Sequence, residues 1–283
     1  MKTDNLQPWK KVIELADQGR QSELEEFLAN LPSGDLALAL SRLSDEQQSR
    51  LLTLLPPDQA ADVLERLPDV QAVELIENLD PPAASAILDE LPSDEQADLL
   101  GDLSPGDAEA ILSGMAPAEA ADARVLSRYA DDVAGGLMIT EYVRYREDQT
   151  VADVVHDMRS RAAEYRDYDV QYAYVCDAQG RLTGILRLRD LLLAEDTQKL
   201  TELMIRKPIS VQFDASLDEL ADFFDRHHFL GVPVTDSDGN LLGIVQESAV
   251  AEAWGDRQNT DFLKTQGIMG GEEIRTLPVL ILD

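Results

Sequence analysis

Carboxylates dominate the chemistry open to this sequence. Asp94 and Asp98 are four residues apart, so on a helix they share one face. Asp102 continues that row past the expected helix end. A second concentration comprises Asp214, Asp218, Glu219, Asp222 and Asp225, and Glu247 and Glu252 follow it. Hard oxygen ligands of this kind suit Mg²⁺, which takes one or two carboxylates and keeps several waters. Like charges four apart weaken a helix by about 0.2–0.5 kcal/mol, so a bound cation would relieve them. The same pattern also fits a solvated acidic face.

Other chemistry is thin. His227 and His228 are poor Mg²⁺ ligands and read as a surface or core pair. Cys176 is the single cysteine, which excludes an intramolecular disulfide and a multi-thiolate zinc site. It alternates with Val175 on an expected strand and reads as core. Trp9 and Trp254 read as packing residues. No Ser/His/Asp or Cys/His set and no phosphate-cradling Gly loop is present, so no catalytic residue is expected. The 283 residues carry 24 basic and 55 acidic side chains, a net charge of −31. Such a chain repels phosphate backbones, which excludes nucleic acid as a partner. It is also repelled by anionic lipid surfaces, and it attracts cations. A salt-adapted surface gives the same acidity. Hydrophobic residues make up 44%, enough for a core and too many for wholesale disorder.

The elements that must hold these acids fall into two halves. In the first, Leu31, Leu43, Leu55, Leu67, Leu79, Leu91, Leu103 and Met115 recur every twelve residues. Prolines follow within two positions, as at Pro32, Pro68, Pro92 and Pro117, and apolar doublets such as Leu75-Ile76 and Leu99-Leu100 come eight and nine later. Proline is tolerated where a helix begins, because its missing N–H has no intrahelical partner there. Acids beside it suit the positive end of the helix, as in Pro92-Ser93-Asp94-Glu95. Each unit is a turn plus roughly nine helical residues, too short to stand alone. The pattern predicts a stacked short-helix superhelix over residues 1–130.

From about residue 135 the period switches to two. Val170–Cys176 reads as a strand, Asp177-Ala178-Gln179-Gly180 as a turn, Leu182–Leu186 as a strand, and Leu188–Ala194 as a short helix. The same order returns at Val232–Val234, Asp236–Gly239 and Leu241–Val245, with a helix through Trp254. Met138 and Met204 are 66 apart, whereas Gly180/Gly239 and Gly184/Gly243 are 59 apart. The first copy therefore carries seven more residues, placed around Ala162–Asp169. Thr150 and Ser216 each precede an amphipathic helix, with Asp153 and Glu219 three residues on, an acidic form of the capping box.

Tandem units of this kind resemble a pair of CBS (cystathionine-β-synthase-type) domains, here at 136–197 and 198–255. The repeat before them narrows the resemblance. Ala134-Gly135-Gly136-Leu137-Met138-Ile139-Thr140-Glu141-Tyr142 looks like the joint between superhelical and CBS domains in the MgtE family of magnesium transporters. Phe262-Leu263-Lys264 and Gly270–Arg275 resemble that family's connection toward its transmembrane helices, so 256–283 reads as a connector. The fold class expected is multidomain, an all-α short-helix superhelix followed by an α/β CBS-domain pair.

The resemblance implies a regulatory Mg²⁺-sensing and gating region, with Asp94, Asp98, Gly136, Asp218, Glu247 and Glu252 as the metal set. In this family, acids of the superhelical domain share Mg²⁺ with acids of the CBS domains. The start of the last CBS helix usually carries adjacent aspartates, and here Ser248 and Ala249 stand in their place. The adenine-nucleotide motif of CBS domains is Gly, two apolar residues, Ser/Thr, two residues, Asp. The first copy, Gly184 to Asp190, keeps Asp190 and has Arg187 for the hydroxyl; the second, Gly243 to Ala249, has neither. ATP is therefore expected at Arg187 and Asp190 only, weakly or not at all. A homodimer through the CBS half is expected, with Leu191, Leu192, Leu193, Phe223, Phe224 and Phe229 supplying core and interface. A free-standing CBS regulator that binds a nucleotide or another protein is the competing reading. Met1-Lys2-Thr3-Asp4 opens on polar sequence with no signal-peptide core, and Leu277–Leu282 is too short to span a bilayer. The sequence thus reads as soluble in a reducing cytoplasm, or at the cytoplasmic face of a membrane where a transport domain is its partner.

Overall fold

Helix starts at 33, 45, 57, 69, 81, 93, 105 and 117, twelve residues apart, carry the sequence period directly into structure. The computed structural model describes residues 7–166, 168 and 171–265. They divide between Arg128 and Tyr129 into two compact units.

The first unit is all helix: α1 (Pro8–Asp17), α2 (Gln21–Ala29), α3 (Ser33–Leu40), α4 (Asp45–Leu54), α5 (Pro57–Leu64), α6 (Asp69–Glu77), α7 (Pro81–Leu88), α8 (Ser93–Asp102), α9 (Pro105–Leu112) and α10 (Pro117–Leu126). The expected prolines divide between two roles. Pro57, Pro81, Pro105 and Pro117 are the first helical residues, while Pro32, Pro56, Pro68 and Pro92 are N-caps with no side-chain cap bond. At Ser44, Asp80 and Ser104 a side-chain oxygen accepts a helix N–H instead.

The structure also shows a longer period. From α3 to α10 the lengths run 8, 10, 8, 9, 8, 10, 8 and 10 residues. Helix α5 packs on α7 and α7 on α9, while α4, α6, α8 and α10 pack in succession on one another. The structural repeat is thus a pair of helices in two rows. α4 and α8 run straight into the extended residues Leu55 and Leu103, whereas the short helices spend those residues on a turn. Leu43, Leu55, Leu67, Leu91, Leu103 and Met115, from the period-twelve series, are buried in one continuous core with Leu52, Leu64, Ile76 and Leu88. Where α7 meets the end of α9, the buried Ser85 hydroxyl donates to the Ile111 carbonyl at 2.7 Å. A side chain on Gly114 would strike that hydroxyl.

The second unit contains β1 (Met138–Ile139), β2 (Val143–Arg146), α11 (Val151–Ser160), β3 (Tyr172–Cys176), β4 (Leu182–Arg187), α12 (Leu188–Leu193) and α13 (Leu200–Leu203). Then come β5 (Ile205–Arg206), β6 (Val211–Gln212), α14 (Leu217–Arg226), β7 (Gly231–Thr235), β8 (Leu241–Gln246) and α15 (Glu247–Thr265). They form two four-stranded sheets, ordered β1-β8-β7-β6 and β2-β3-β4-β5. Each sheet takes its first-strand neighbour from the other sequence copy. Met138 pairs with Val245, and Ile205 with Ile185. The repeated Met and Gly therefore meet crosswise. A Cβ on Gly243 would lie 2.8 Å from the Met138 side chain and the Ile139 carbonyl, and a Cβ on Gly184 would strike Met204.

Both expected capping boxes form: Thr150 N–H donates to Asp153 at 2.7 Å, and Ser216 N–H to Glu219 at 2.9 Å. In the two acidic turns Gly180 and Gly239 have φ of +89° and +84°, which glycine adopts without strain. The turns bond to each other, Leu182 N–H to the Gly239 carbonyl at 2.9 Å. Of the extra residues around Ala162–Asp169, Glu164–Arg166 make one 3₁₀ turn. The Tyr145 and Tyr165 hydroxyls both donate to Asp157 Oδ2 at 3.0 Å, which ties that turn to α11. Val170, the expected first residue of the strand, and Asp169 lie outside the described residues. The last helix does not stop at Trp254 but runs on to Thr265. No proline interrupts that stretch, and one glycine, Gly255, costs a helix only about 1 kcal/mol. Among the described residues, no helix is long and apolar enough to cross a membrane. Gly270–Arg275 and the apolar tail Leu277–Leu282 lie outside the described residues.

Candidate functional site

In the first unit, Asp94 and Asp98 both lie in α8. Alternation of core and solvent around this helix leaves Asp94 half-buried and Asp98 exposed, while Gln96, Ala97, Leu99 and Leu100 face the core. Asp94 Oδ1 accepts the Glu95 N–H at 3.0 Å, as expected of an acid in a first helical turn. Asp102 is the last residue of the same helix rather than beyond it.

In the second unit the candidate residues separate. Gly136 is buried, and its N–H donates to the Val133 carbonyl at 3.0 Å. A side chain there would strike the Ala130 carbonyl, so close backbone approach accounts for the glycine, and only its own carbonyl could serve a cation. Asp218 sits in the first turn of α14, exposed. Both its oxygens accept from Arg257 Nη2, at 3.2 and 3.1 Å. Glu247 is the first residue of α15, exposed, its N–H donating to the Leu230 carbonyl at 3.1 Å. Asp218 thus meets α15 at Arg257, roughly 15 Å of helix axis from Glu247. Glu252, also exposed, is five positions from Glu247, about 140° around the helix, so the two do not share a face. Among the described residues no group of three or more His, Cys, Asp and Glu forms a metal cage. That donor chemistry still fits Mg²⁺, which needs only one or two carboxylates and water.

The nucleotide candidates lie at the end of β4. Arg187 is exposed and pairs in register with Tyr172. Asp190 belongs to the six-residue α12, 3.6 Å from the Arg189 guanidinium. A cleft of about 40 Å³ lies instead beside the end of β8, lined by Ile139, Glu141, Tyr142, Tyr172, Tyr174 and Gln246 among others. Arg187 and Asp190 are not among its walls. Burial and then the neighbouring Tyr172 and Tyr142 push the Tyr174 hydroxyl well above its usual range, so it stays neutral. The Tyr142 and Tyr174 rings meet edge-on at 5.9 Å. Sequence reasoning missed these aromatics, although Tyr172 and Tyr174 two apart on one strand had to share a face. At about 40 Å³ the cleft is far below the several hundred Å³ of ordinary ligand pockets. The apolar candidates sort cleanly: Leu191, Phe223 and Phe224 are buried, Leu192 and Leu193 are 81% and 80% exposed, and Phe229 is exposed as well.

Residues 31–132 match the family described as the MgtE intracellular N domain, and residues 132–196 and 200–256 match the CBS domain family. The chain is 40% identical over 125 residues to the magnesium transporter MgtE of Thermus thermophilus, covering 44% of this chain and 27% of that protein. It therefore spans about a quarter of that relative's length. Among solved structures, the cytosolic domain of the Mg²⁺ channel MgtE in complex with ATP superposes with a TM-score of 0.74 at 34% identity, over 86% of this chain and 98% of that one. The soluble part of a magnesium transporter gives the same TM-score at 26% identity, over 88% and 98%.

Proposed function

The chain belongs to the MgtE family, in the arrangement of an MgtE intracellular N domain followed by a CBS pair, and from that premise we propose that it is the Mg²⁺-sensing and gating region of a magnesium transporter. The observation that carries this reading is the domain order, matched over 98% of a solved Mg²⁺-channel cytosolic domain. Asp94 and Asp98 on α8, Asp218 on α14, and Glu247 and Glu252 on α15 are the carboxylates we assign to Mg²⁺, with the Gly136 carbonyl as a further oxygen. The many acids of a chain of charge −31 oppose compaction through self-repulsion. Neutralised by Mg²⁺, they favour a more compact state, by no more than the ion's differential affinity for the two states. In a complete transporter that change would act on the pore through the segment that follows α15, as negative feedback on Mg²⁺ entry.

We assign no catalytic residue. We propose a homodimer through the second unit, because Leu192 and Leu193 of α12 are exposed side by side. ATP, bound by the solved relative, should bind this chain weakly, since Arg187, Gln246 and Ala249 replace the motif's polar groups and the cleft is small.

The test is small-angle scattering at constant ionic strength, with and without millimolar Mg²⁺. The radius of gyration should fall in the parent and not in Asp94→Asn/Asp98→Asn. An equal response to matched NaCl would reduce the acidity to a solvated surface, because monovalent salt screens charges without bridging them.

A further inference from the structure

Arg257 was not among the residues the sequence pointed to, yet it holds one of the proposed Mg²⁺ ligands. Helix α15 packs along α14, and this brings Arg257 over the first turn of α14. Its Nη2 lies 3.2 and 3.1 Å from the two oxygens of Asp218. The same guanidinium stands 5.3 Å from the centre of the Trp254 ring, one turn back on its own helix. The ring face attracts the cation and limits where the long side chain can go. Arg257 is therefore positioned by two partners.

We propose that Arg257 is the resident counter-cation of Asp218 and sets the Mg²⁺ concentration at which that carboxylate responds; this rests on the reading of Asp218 as a Mg²⁺ ligand. Both cations need the same pair of oxygens. The guanidinium occupies lone pairs that Mg²⁺ or its bound water would use, and a +1 and a +2 charge at one carboxylate repel each other even where both fit. Exposure decides that the exchange is reversible. The Arg257 and Asp218 side chains are 45% and 59% exposed, so water and ions reach the pair. Exposed pairs of this kind are weak, so Arg257 shifts the response without abolishing it. Of the other charges of α14, Glu219 closes the capping box with Ser216, and Arg226 reaches Asp222 at 3.7 Å. Displacement of Arg257 from Asp218 would also change its place over Trp254, giving the event an optical signal on α15.

The experiment is a calorimetric Mg²⁺ titration of the full chain at constant ionic strength, with Arg257→Gln, Arg257→Lys, Asp218→Asn and the double variant Asp218→Asn/Arg257→Gln. Arg257→Gln should tighten Mg²⁺ binding about two- to fivefold, the reach of an exposed ion pair. Arg257→Lys, which keeps the charge and gives up the planar fork, should fall between it and the parent. In the Asp218→Asn background the Gln substitution should change nothing. In Trp9→Phe protein, Mg²⁺ should alter Trp254 emission in the parent and not after Arg257→Gln. Asp218-dependent binding with an unchanged affinity in Arg257→Gln would overturn this proposal alone. A gain that persists in Asp218→Asn would also overturn it, as a general charge effect. Absence of any Asp218-dependent Mg²⁺ binding would overturn it together with the assignment of Asp218.

Discussion

Both units are built by repetition, and they use it in opposite ways. In the superhelical unit each copy meets its near neighbours: α5, α7 and α9 make one row, and α4, α6, α8 and α10 the other. Contacts are short-range in sequence, so stability should add up from neighbouring helices. In the second unit the copies exchange strands, β1 joining β8 and β5 joining β4. Neither sheet is complete within one copy. Tandem duplication yields an open array when the repeat buries its face on the next repeat, and a closed pair when each copy donates a strand to the other.

Hydrogen exchange on core truncations would break or sharpen this contrast most strongly. Leu88→Ala, at a fully buried position in α7, should cost about 2–5 kcal/mol. Exchange should rise mainly in α5, α7 and α9. Met138→Ala should cost a similar amount but loosen β7 and β8, about a hundred residues away in sequence, before β2. A uniform rise across either unit would mean that the two kinds of repeat do not differ in cooperativity.

The crossing point gives the next largest effect. Gly243→Ala pushes a methyl against the Ile139 backbone carbonyl, which cannot move cheaply. It should cost about 1–3 kcal/mol in urea unfolding, as overpacking does. Gly184→Ala meets the Met204 side chain instead, whose Sδ and Cγ can move although its Cβ cannot, and should cost somewhat less. Equal costs would remove the distinction.

A smaller difference separates a proline N-cap in the first unit from a side-chain cap in the second. Ser216→Ala should cost about 1 kcal/mol by losing the Glu219 N–H partner. Pro92→Ala has no cap bond to lose, and should cost about 0.4–1 kcal/mol through the freedom gained by the unfolded chain. A larger loss at Pro92 than at Ser216 would contradict the assignment of roles.

The smallest effect is a pH dependence carried by the second unit. The Thr150 backbone N–H and then its side chain hold Asp153 below the usual carboxylate range. The Asn240 side chain and then its backbone do the same for Asp236. Lowered folded values mean that the unfolded chain binds more protons in acid, so this contribution is complete above about pH 4 and is lost as pH falls through the folded values. Urea midpoints measured down to pH 3 should therefore fall less steeply in Asp236→Asn than in the parent.

Much of the architecture was legible in residues 31–117, because a stretch that caps, turns and packs every twelve residues leaves a periodic trace in composition. The capping boxes at Thr150 and Ser216 and the acidic turns at Asp177 and Asp236 were legible for the same reason: each is a bond between residues two to four apart. The pairing of helices into rows was not, since the twelve-residue period is the same for both rows and only packing tells them apart. Nor was the strand exchange. Met138 and Met204 recur visibly, but nothing within a copy says that its methionine lies on the other copy's glycine. Among the site residues, the sequence placed Asp94 and Asp98 on one helical face unaided, because four residues make about one turn. It could not place Asp218 against α15 or show Arg257 on that carboxylate, because that contact depends on how α14 lies along α15. Local bonds and periods follow from sequence neighbours; which face meets which partner is decided only when the whole chain has packed.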